Sequence, residues 1–170
     1  MVRRYLHLTR AERQLLPRLL ALVVVVRAAL WIVPLDRLQR RLARHGRPWL
    51  VTKPLAQSFS PARLAWAVVA VSRRVPDASC LTQALALQFL LARSGRTSRL
   101  HIGVAHSSDG KFGAHAWIEC EGQLLTDKPE TIARYGKIAS WEATPSGCTI
   151  LARDVPTDGP REPHIPPAAL

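Results

Sequence analysis

The hydrophobic period of the chain changes at Gly95, and this change constrains the fold more than any other sequence feature. From residue 80 to about residue 94, leucines and alanines cover more than half of a helical circumference, and a helix that is apolar over most faces is buried on most faces. Beyond Gly95, Leu100, Ile102 and Val104 alternate with their neighbours in the period of two that is typical of a strand. The sequence therefore predicts an α+β fold with a buried central helix and an antiparallel sheet.

Two capping signals predict the helices that precede the central one. Thr9 and Glu12 have the spacing of a capping box, and the helix that they begin should end at about residue 33. Ser60 followed by Pro61 begins another helix, because serine is a preferred N-cap and proline suits the first helical position. We expect that helix to reach about residue 74. A helix over residues 35–45 and a connection over residues 46–59 complete the N-terminal part.

Three further strands are expected, with a turn between the first strand and the second. The predicted ranges are residues 112–119, 123–127 and 148–152 for the strands and residues 107–110 for the turn. From residue 154 onward, five prolines and almost no apolar periodicity indicate a disordered tail. We therefore divide the chain into a basic helical N-terminal region (1–59), a main domain (60–153) and a Pro-rich tail (154–170).

The net charge of +12 lies entirely in the N-terminal part of the chain. Residues 1–74 contain 15 Lys and Arg against 2 Asp and Glu, a net charge of +13, whereas residues 75–170 contain 9 against 10, a net charge of −1. This asymmetry favours an acidic partner surface, nucleic acid or anionic lipid; the alternative is a solvated arginine-rich helix face. Nucleic-acid binding ranks last, because the arginines lack interleaved aromatic residues or a reader motif.

The apolar stretch over residues 19–33 is shorter than the roughly 20 apolar residues of a membrane span, and Arg27 interrupts it. We therefore expect a buried core helix, and peripheral membrane contact is the less favoured alternative. No small-residue cleavage site follows the apolar run, so no signal peptide is predicted. Three cysteines without a C-x-x-C pair support neither a zinc site nor a disulfide framework. A reducing cytoplasm fits best, and no cofactor, metal or ATP-binding phosphate loop is predicted.

Cys80, His115 and Asp127 are the candidate catalytic residues. Cys80 follows Asp77 and Ser79, either of which can cap the central helix, so the cysteine lies at the helix N-terminus. The free N–H groups there favour a thiolate and can also donate to an oxyanion. A cysteine nucleophile, a histidine base and an aspartate that orients the base form a recognised constellation for acyl transfer. The alternative for each residue is a structural role.

The register of the second hairpin decides whether His115 and Asp127 meet. A three-residue loop over residues 120–122 places the two side chains directly opposite each other, whereas a two-residue turn over residues 121–122 places Asp127 on the other face. Gly122 at the third loop position favours the longer loop, because that position needs a positive φ. We therefore predict the three-residue loop and a cross-strand contact between the imidazole and the carboxylate.

The other histidines and cysteines of this part are weaker candidates. His101 is on a strand, but no carboxylate lies opposite it by simple counting, and His106 is expected in an exposed turn. Cys120 falls in the predicted turn and Cys148 in a late strand, so neither has a helix terminus beside it. Trp117 shares the face of His115 and either walls the site or packs as core, while Trp66 and Trp141 are expected to be packing residues.

The motifs around these residues resemble the transglutaminase-like cysteine peptidase of lasso peptide biosynthesis in its stand-alone B2 form. The shared pattern is a cysteine-first helix that ends in glycine, then G-V, then A-H-A-W-I-E, E-G and T-D. The resemblance covers about residues 60–140, and the helical N-terminal region is similar as well. It implies a papain-like α+β core over residues 60–153 whose triad falls on Cys80, His115 and Asp127.

The resemblance also implies an activity and partners. Family members cut the leader from a ribosomally made precursor, with a preference for a threonine just before the last leader residue, and expose the new N-terminus of the core peptide for closure by a separate cyclase. The first 60 residues read as helices and leave no room for a leader-recognition domain, so a separate leader-binding B1 protein is implied. Two alternatives stay open, namely a transglutaminase-like acyltransferase that uses an amine acceptor and a non-catalytic scaffold that docks the precursor or the cyclase.

Overall fold

The computed structural model describes residues 9–35, 37–38, 51–106, 112–144 and 147–149, and of residues 106 and 147–149 it describes the backbone only. The helices that lie wholly within these residues are α1 (Arg10–Ile32), α2 (Lys53–Gln57), α3 (Pro61–Ser72), α4 (Cys80–Arg93) and α5 (Pro129–Ile132). The strands are β1 (Ser98–His106), β2 (Phe112–Cys120), β3 (Gln123–Leu124), β4 (Gly136–Thr144) and β5 (Gly147–Thr149).

Capping side chains fix the starts of α1 and α3 as the sequence predicts. The Thr9 hydroxyl accepts a hydrogen bond from the Glu12 N–H (3.2 Å), and the Glu12 carboxylate accepts one from the Thr9 N–H (2.8 Å), which completes the capping box. The Ser60 hydroxyl accepts from the Arg63 N–H (3.3 Å) at the start of α3. Both helices therefore begin where a local side chain satisfies N–H groups that have no partner within the helix.

The most buried helix is α4, since nine of its 14 residues are buried. Its C-terminal end is a Schellman motif, in which Gly95 has a φ of +86° and the N–H groups of Gly95 and Arg96 donate to the carbonyls of Ala92 and Leu91. Both α1 and α3 pack against α4, and α4 in turn packs against β2, β1 and β4. The prediction of a central buried helix is confirmed.

All strand pairs of the sheet are antiparallel, and the strand order is β3-β2-β1-β4-β5. One face of the sheet packs against the helices and closes the hydrophobic core, and the Gln88 amide of α4 donates to the Trp141 carbonyl (3.0 Å). The core residues on this helix-facing side include Leu100, Ala116, Ile118 and Trp141. The alternate residues of β1 and β2, namely Arg99, His101, Gly103, His115, Trp117 and Glu119, occupy the opposite face.

The α+β fold with an antiparallel sheet is confirmed, and three local predictions are corrected. Residues 53–57 form the short helix α2, because proline is compatible with the first turn of a helix. The strand β4 was not predicted, and β3 contains two residues instead of five. The predicted turn over residues 107–110, the tail over residues 154–170 and most of the helix over residues 35–45 lie outside the described residues.

Candidate active site

The hairpin that leads to Asp127 has a two-residue turn. Glu121 and Gly122 have φ values of +53° and +77°, and Cys120 pairs with Gln123. Positive φ at both central residues defines a type I′ turn, whose twist matches that of the flanking strands. The predicted three-residue loop is therefore wrong, because Glu121 adopts the left-handed conformation as well as Gly122.

His115 and Asp127 nevertheless meet, with 3.0 Å between the Nε2 and Oδ1 atoms. The reason is that β3 ends after two residues. The Leu125 N–H still donates to the Ile118 carbonyl (3.1 Å), but the Ile118 N–H then bonds the Thr126 hydroxyl (3.3 Å). From there the chain bends, so the alternation of side chains no longer applies, and the bend brings the Asp127 carboxylate to the imidazole.

The contact with Asp127 determines which nitrogen of His115 is available for chemistry. The carboxylate accepts a hydrogen bond when Nε2 carries the proton, which leaves the Nδ1 lone pair as the basic site. Within the described part of the chain, Nδ1 has no hydrogen-bond partner. The two side chains are 20% and 17% exposed, so the pair is sheltered but remains reachable.

Four aromatic rings in a row hold His115 in place. The His115 ring lies 5.2 Å from the Tyr135 ring and 6.3 Å from the Trp117 ring, and the Trp117 ring lies 5.5 Å from the His101 ring, all measured between centroids. Trp117 is only 1% exposed. It belongs to the face opposite the main core, so it supports the wall of the site and does not pack against the helices.

Gly103 lets the Trp117 ring approach the backbone of β1. A Cβ atom at position 103 would lie 2.8 Å from Cη2 and 2.9 Å from Cζ3 of the indole, and 3.0 Å from the Gly136 carbonyl. Gly103 is also the residue directly opposite His115 in the β1–β2 pair. The absence of a side chain at this position therefore lets the indole lie beside the imidazole.

A second histidine–carboxylate pair lies on the same face, where His101 Nε2 is 3.2 Å from Glu119 Oε2. This pair was not predicted from the sequence, because only directly opposed residues were considered. Trp117 is opposite His101, and the Glu119 carboxylate reaches His101 from the diagonal position. Burial lowers the pKa of His101, and the charge of Lys137 lowers it further, although Glu119 acts in the opposite direction. The ring is buried and neutral near pH 7, which suits a structural role better than that of an active-site base.

His106 ends β1 instead of lying in a turn, since its backbone pairs with Phe112. Cys120 ends β2 and is 2% exposed, and its thiol donates to the Thr97 carbonyl (3.4 Å). Burial raises the pKa of the Cys120 thiol, and the charge of Glu121 adds to this effect, so this cysteine is a protonated structural residue. The side chain of Cys148 lies outside the described residues.

Cys80 is the first residue of α4 and is half-buried against the edge of the core. The cap of α4 is Ser79, not Asp77, and its hydroxyl accepts from the Thr82 N–H (3.4 Å). A helix of 14 residues is about 20 Å long, and a strand covers that distance in about six residues. Because β1 begins at Ser98 and packs alongside α4, these lengths lead us to expect the start of the helix near the end of β1 that pairs with His115.

The faces of the sheet show how the two halves of the site are arranged. His115 lies on the face of β2 opposite Ala116 and Ile118, which pack against the helix layer that contains Cys80. The strand β3 pairs only with Glu119 and Cys120 of β2 and does not extend as far as His115. Beside His115, β2 is therefore the outermost strand among the described residues, and the His115–Asp127 pair lies at its unpaired edge. The Cys80 thiol makes no hydrogen bond to the imidazole, and the two side chains are separated by the β2 strand and its unpaired edge.

The part of the chain that the structure describes contains no group of three or more His, Cys, Asp or Glu side chains that could hold a metal ion. It does contain a sheltered imidazole with a carboxylate on one ring nitrogen, and a cysteine at a helix N-terminus. When a thiol, an imidazole and a carboxylate come together, they can support acyl transfer by nucleophilic and general base catalysis.

A family model described as the transglutaminase-like superfamily matches residues 8–140, which include α1 and extend into β4. The chain therefore belongs to the transglutaminase-like superfamily, whose members are typically enzymes with a catalytic cysteine. This membership fits a cysteine-protease-like or an acyltransferase-like role. The comparisons with curated proteins and with solved structures gave no match.

Proposed function

We propose that this protein is a cysteine peptidase that removes the leader from a lasso peptide precursor, with Cys80, His115 and Asp127 as its catalytic residues. The observation that carries the peptidase chemistry is the 3.0 Å contact between His115 Nε2 and Asp127 Oδ1, which leaves Nδ1 as the base. The precursor class is supported by the resemblance of residues 80–127 to the stand-alone B2 peptidases. A separate leader-binding B1 protein grips the leader, and the cyclase receives the product.

In the first half of the reaction, the thiolate of Cys80 attacks the carbonyl of the last leader residue. His115 Nδ1 takes the thiol proton, and Asp127 stabilises the imidazolium that forms. When the tetrahedral intermediate collapses, the scissile C–N bond breaks and His115 returns the proton to the leaving amine of the core peptide. The leader remains bound to Cys80 as a thioester.

In the second half, water attacks the thioester carbonyl while His115 accepts one of its protons. The C–S bond breaks, the leader leaves with a free carboxylate, and the proton returns to the Cys80 sulfur. The net reaction consumes one water and one peptide bond. No cofactor takes part in any of these steps.

The first turn of α4 supplies donors for the oxyanion. The Thr82 N–H bonds the Ser79 hydroxyl and the Gln83 N–H bonds the Ser79 carbonyl, so both are occupied. The N–H groups of Cys80 and Leu81 have no acceptor among the described residues. They lie beside the nucleophile at the positive end of the helix, which suits them to hold the negative oxygen of the intermediate.

The proposal is tested by incubating the purified protein with its precursor and B1 partner and measuring cleavage by mass spectrometry. The Cys80→Ala variant should produce no leader fragment, whereas Cys120→Ala should retain activity, because the Cys120 thiol is buried and protonated. Full cleavage by the Cys80→Ala variant would rule out the proposed nucleophile.

Superfamily membership also fits transfer of the acyl group to an amine instead of water. The same experiment must therefore identify, from the mass of the leader product, which of the two accepted the acyl group. A hydrolysed leader ends in a carboxylate, whereas an amine adduct is heavier by the mass of the amine less one water. Adding a small primary amine and finding only the free carboxylate would favour the peptidase over the acyltransferase.

A further inference from the structure

One side of α1 carries exposed residues in both halves of the helix, basic and polar in the first half and apolar in the second. We define the outer face of α1 as the residues that share this side and are exposed to solvent. They are Arg10, Arg13, Gln14 and Pro17 in the first half and Val24, Val25, Ala28, Trp31 and Ile32 in the second half. Trp31 and Ile32 are 75% and 83% exposed, so none of the residues that the structure describes covers the apolar end.

The opposite side of α1 belongs to the core of the protein. Leu15, Leu19, Leu22, Val23 and Val26 are buried against α3 and α4. The Arg63 guanidinium of α3 donates to the Glu12 carboxylate and ties the two helices together (Nε to Oε1, 2.7 Å). By length and composition α1 could cross a membrane, but doing so would remove its inner side from the core. A membrane can therefore contact this helix only along the outer face.

The charge around the outer face narrows the choice of partner. The net charge of residues 1–74 is +13, and the only acidic residues there are Glu12, which is buried and paired, and Asp36. A second copy of the face in parallel orientation would bring arginines against arginines, and in antiparallel orientation it would bring the arginines against the apolar end. In neither case does the face supply a carboxylate to pair them. An anionic surface that is apolar beneath its charges complements both halves of the face.

We propose that the outer face of α1 docks on an anionic lipid bilayer, with the helix axis parallel to the membrane surface. Trp31, Ile32 and Val25 insert into the boundary between headgroups and acyl chains, where an indole is favoured because it has an apolar body and a polar N–H. Arg10 and Arg13 contact the anionic headgroups. The Arg27 guanidinium lies 5.0 Å above the Trp31 ring and 3.8 Å from the Asp77 carboxylate, so it supports the indole from the protein side.

The proposal is tested by co-sedimentation of the full-length protein with vesicles of phosphatidylcholine alone and of phosphatidylcholine with 30% phosphatidylglycerol. We expect binding to the anionic vesicles only, because a basic segment adds electrostatic attraction to the apolar insertion. The Trp31→Ser/Ile32→Ser double variant should lower the partition coefficient about tenfold or more, since both side chains lose their apolar transfer free energy. Ile138→Ser on β4, where the side chain is 45% exposed, is the matched control and should bind as the wild type does.

Circular dichroism and thermal unfolding establish that each variant is folded, and light scattering gives the oligomeric state. The proposal is overturned if the folded wild type does not sediment with anionic vesicles, or if the double variant binds them as well as the wild type. It is also overturned if the wild type is a dimer that the double variant converts to a monomer, because a second copy then covers the face. Peptidase activity on a soluble precursor is not the readout, so this result is independent of the proposed function.

Discussion

At the scale of single residues, the site depends on a position that carries no side chain. Gly103 makes room for the Trp117 indole, and the indole packs beside the His115 imidazole. Gly103→Ala places a Cβ atom within 3.0 Å of the indole, and overpacking of this kind costs roughly 1–3 kcal/mol. We expect a lower free energy of unfolding and a lower kcat, measured by urea unfolding and by precursor cleavage.

The matched control for this substitution is Gly113→Ala in β2. Among the described residues, a Cβ atom there would meet only the Ala105 carbonyl oxygen, at 3.9 Å, which is ordinary van der Waals contact. Gly113→Ala should therefore leave both the stability and the rate close to those of the wild type. If the two variants behave alike, the approach of the indole to Gly103 has no part in positioning His115.

The Cys80 thiol gives a second prediction at this scale. If Cys80 and His115 exchange a proton as proposed, the imidazole makes the thiol more reactive. Alkylation of Cys80 by iodoacetamide at pH 7 should therefore be slower in His115→Asn than in the wild type, because the base is removed. Peptide mass spectrometry assigns the label to Cys80 and separates it from any label on Cys148.

Asp127→Asn provides the control for this measurement, since it keeps the shape of the partner and removes its charge. An asparagine supports the imidazolium less well, so the alkylation rate of this variant should lie between those of the wild type and His115→Asn. Identical rates for all three proteins would mean that the thiol and the imidazole do not meet, and the triad would have to be abandoned.

At the scale of secondary-structure elements, capping residues in the sequence predicted where α1 and α3 begin, but the hydrophobic pattern did not predict the strand β4. The starts of α1 and α3 depend on a capping side chain and a following N–H within three residues, so a short stretch of sequence contains all the information. The strand β4 was missed because Ile138 is exposed and its two buried positions are Trp141 and the small Ala143, which leaves a weak alternation. Its place beside β1 is set by pairing over a long sequence distance.

Glu12 illustrates how one residue can stabilise two elements, because it caps α1 and binds Arg63 of α3. The Thr9 backbone N–H holds the pKa of Glu12 below its usual value, and Arg63 lowers it further. A carboxyl whose pKa is lower in the folded state stabilises the protein above about pH 4.5, and the stabilisation is lost as the pH falls through the folded-state pKa.

Glu12→Gln should therefore lower the free energy of unfolding at pH 7 by about 1–2 kcal/mol, because a charge-assisted contact is lost but Arg63 is partly solvated. The difference from the wild type should shrink in acid, where the wild-type carboxyl is protonated as well. Urea unfolding at pH 7 and at pH 3 measures both values. Glu130→Gln, in the first turn of α5 and exposed, should show neither effect.

At the scale of the whole molecule, the fold class and the order of its parts could be predicted from the sequence, but the geometry of the site could not. The change of hydrophobic period at Gly95 marks the boundary between helices and sheet because burial alone produces it. The contact of His115 with Asp127 was predicted through a hairpin register that is wrong, and a bend at Thr126 provides it instead. Bends of this kind depend on tertiary hydrogen bonds, here that of the Ile118 N–H.

His101, on the face of the sheet remote from the helices, also makes the free energy of unfolding depend on pH. Burial is the main reason that the folded-state pKa of His101 is below its ordinary value of 6.5. Below about pH 6.5 the unfolded chain therefore binds a proton at this position that the folded chain does not. The free energy of unfolding should fall as the pH drops from 6.5, with a slope from this group of at most about 1.4 kcal/mol per pH unit, and level off once the folded histidine titrates.

Two variants separate His101 from the other titrating groups. His101→Gln cannot titrate, so its free energy of unfolding should lose this part of the slope between pH 6.5 and pH 5, although the protein is less stable throughout. Glu119→Gln removes the carboxylate that favours the charged imidazole, so the folded-state pKa drops further and the decline should continue to lower pH. Urea unfolding at half-unit pH intervals measures all three curves, and a Glu119→Gln curve that levels off at a higher pH than the wild type would contradict the assignment.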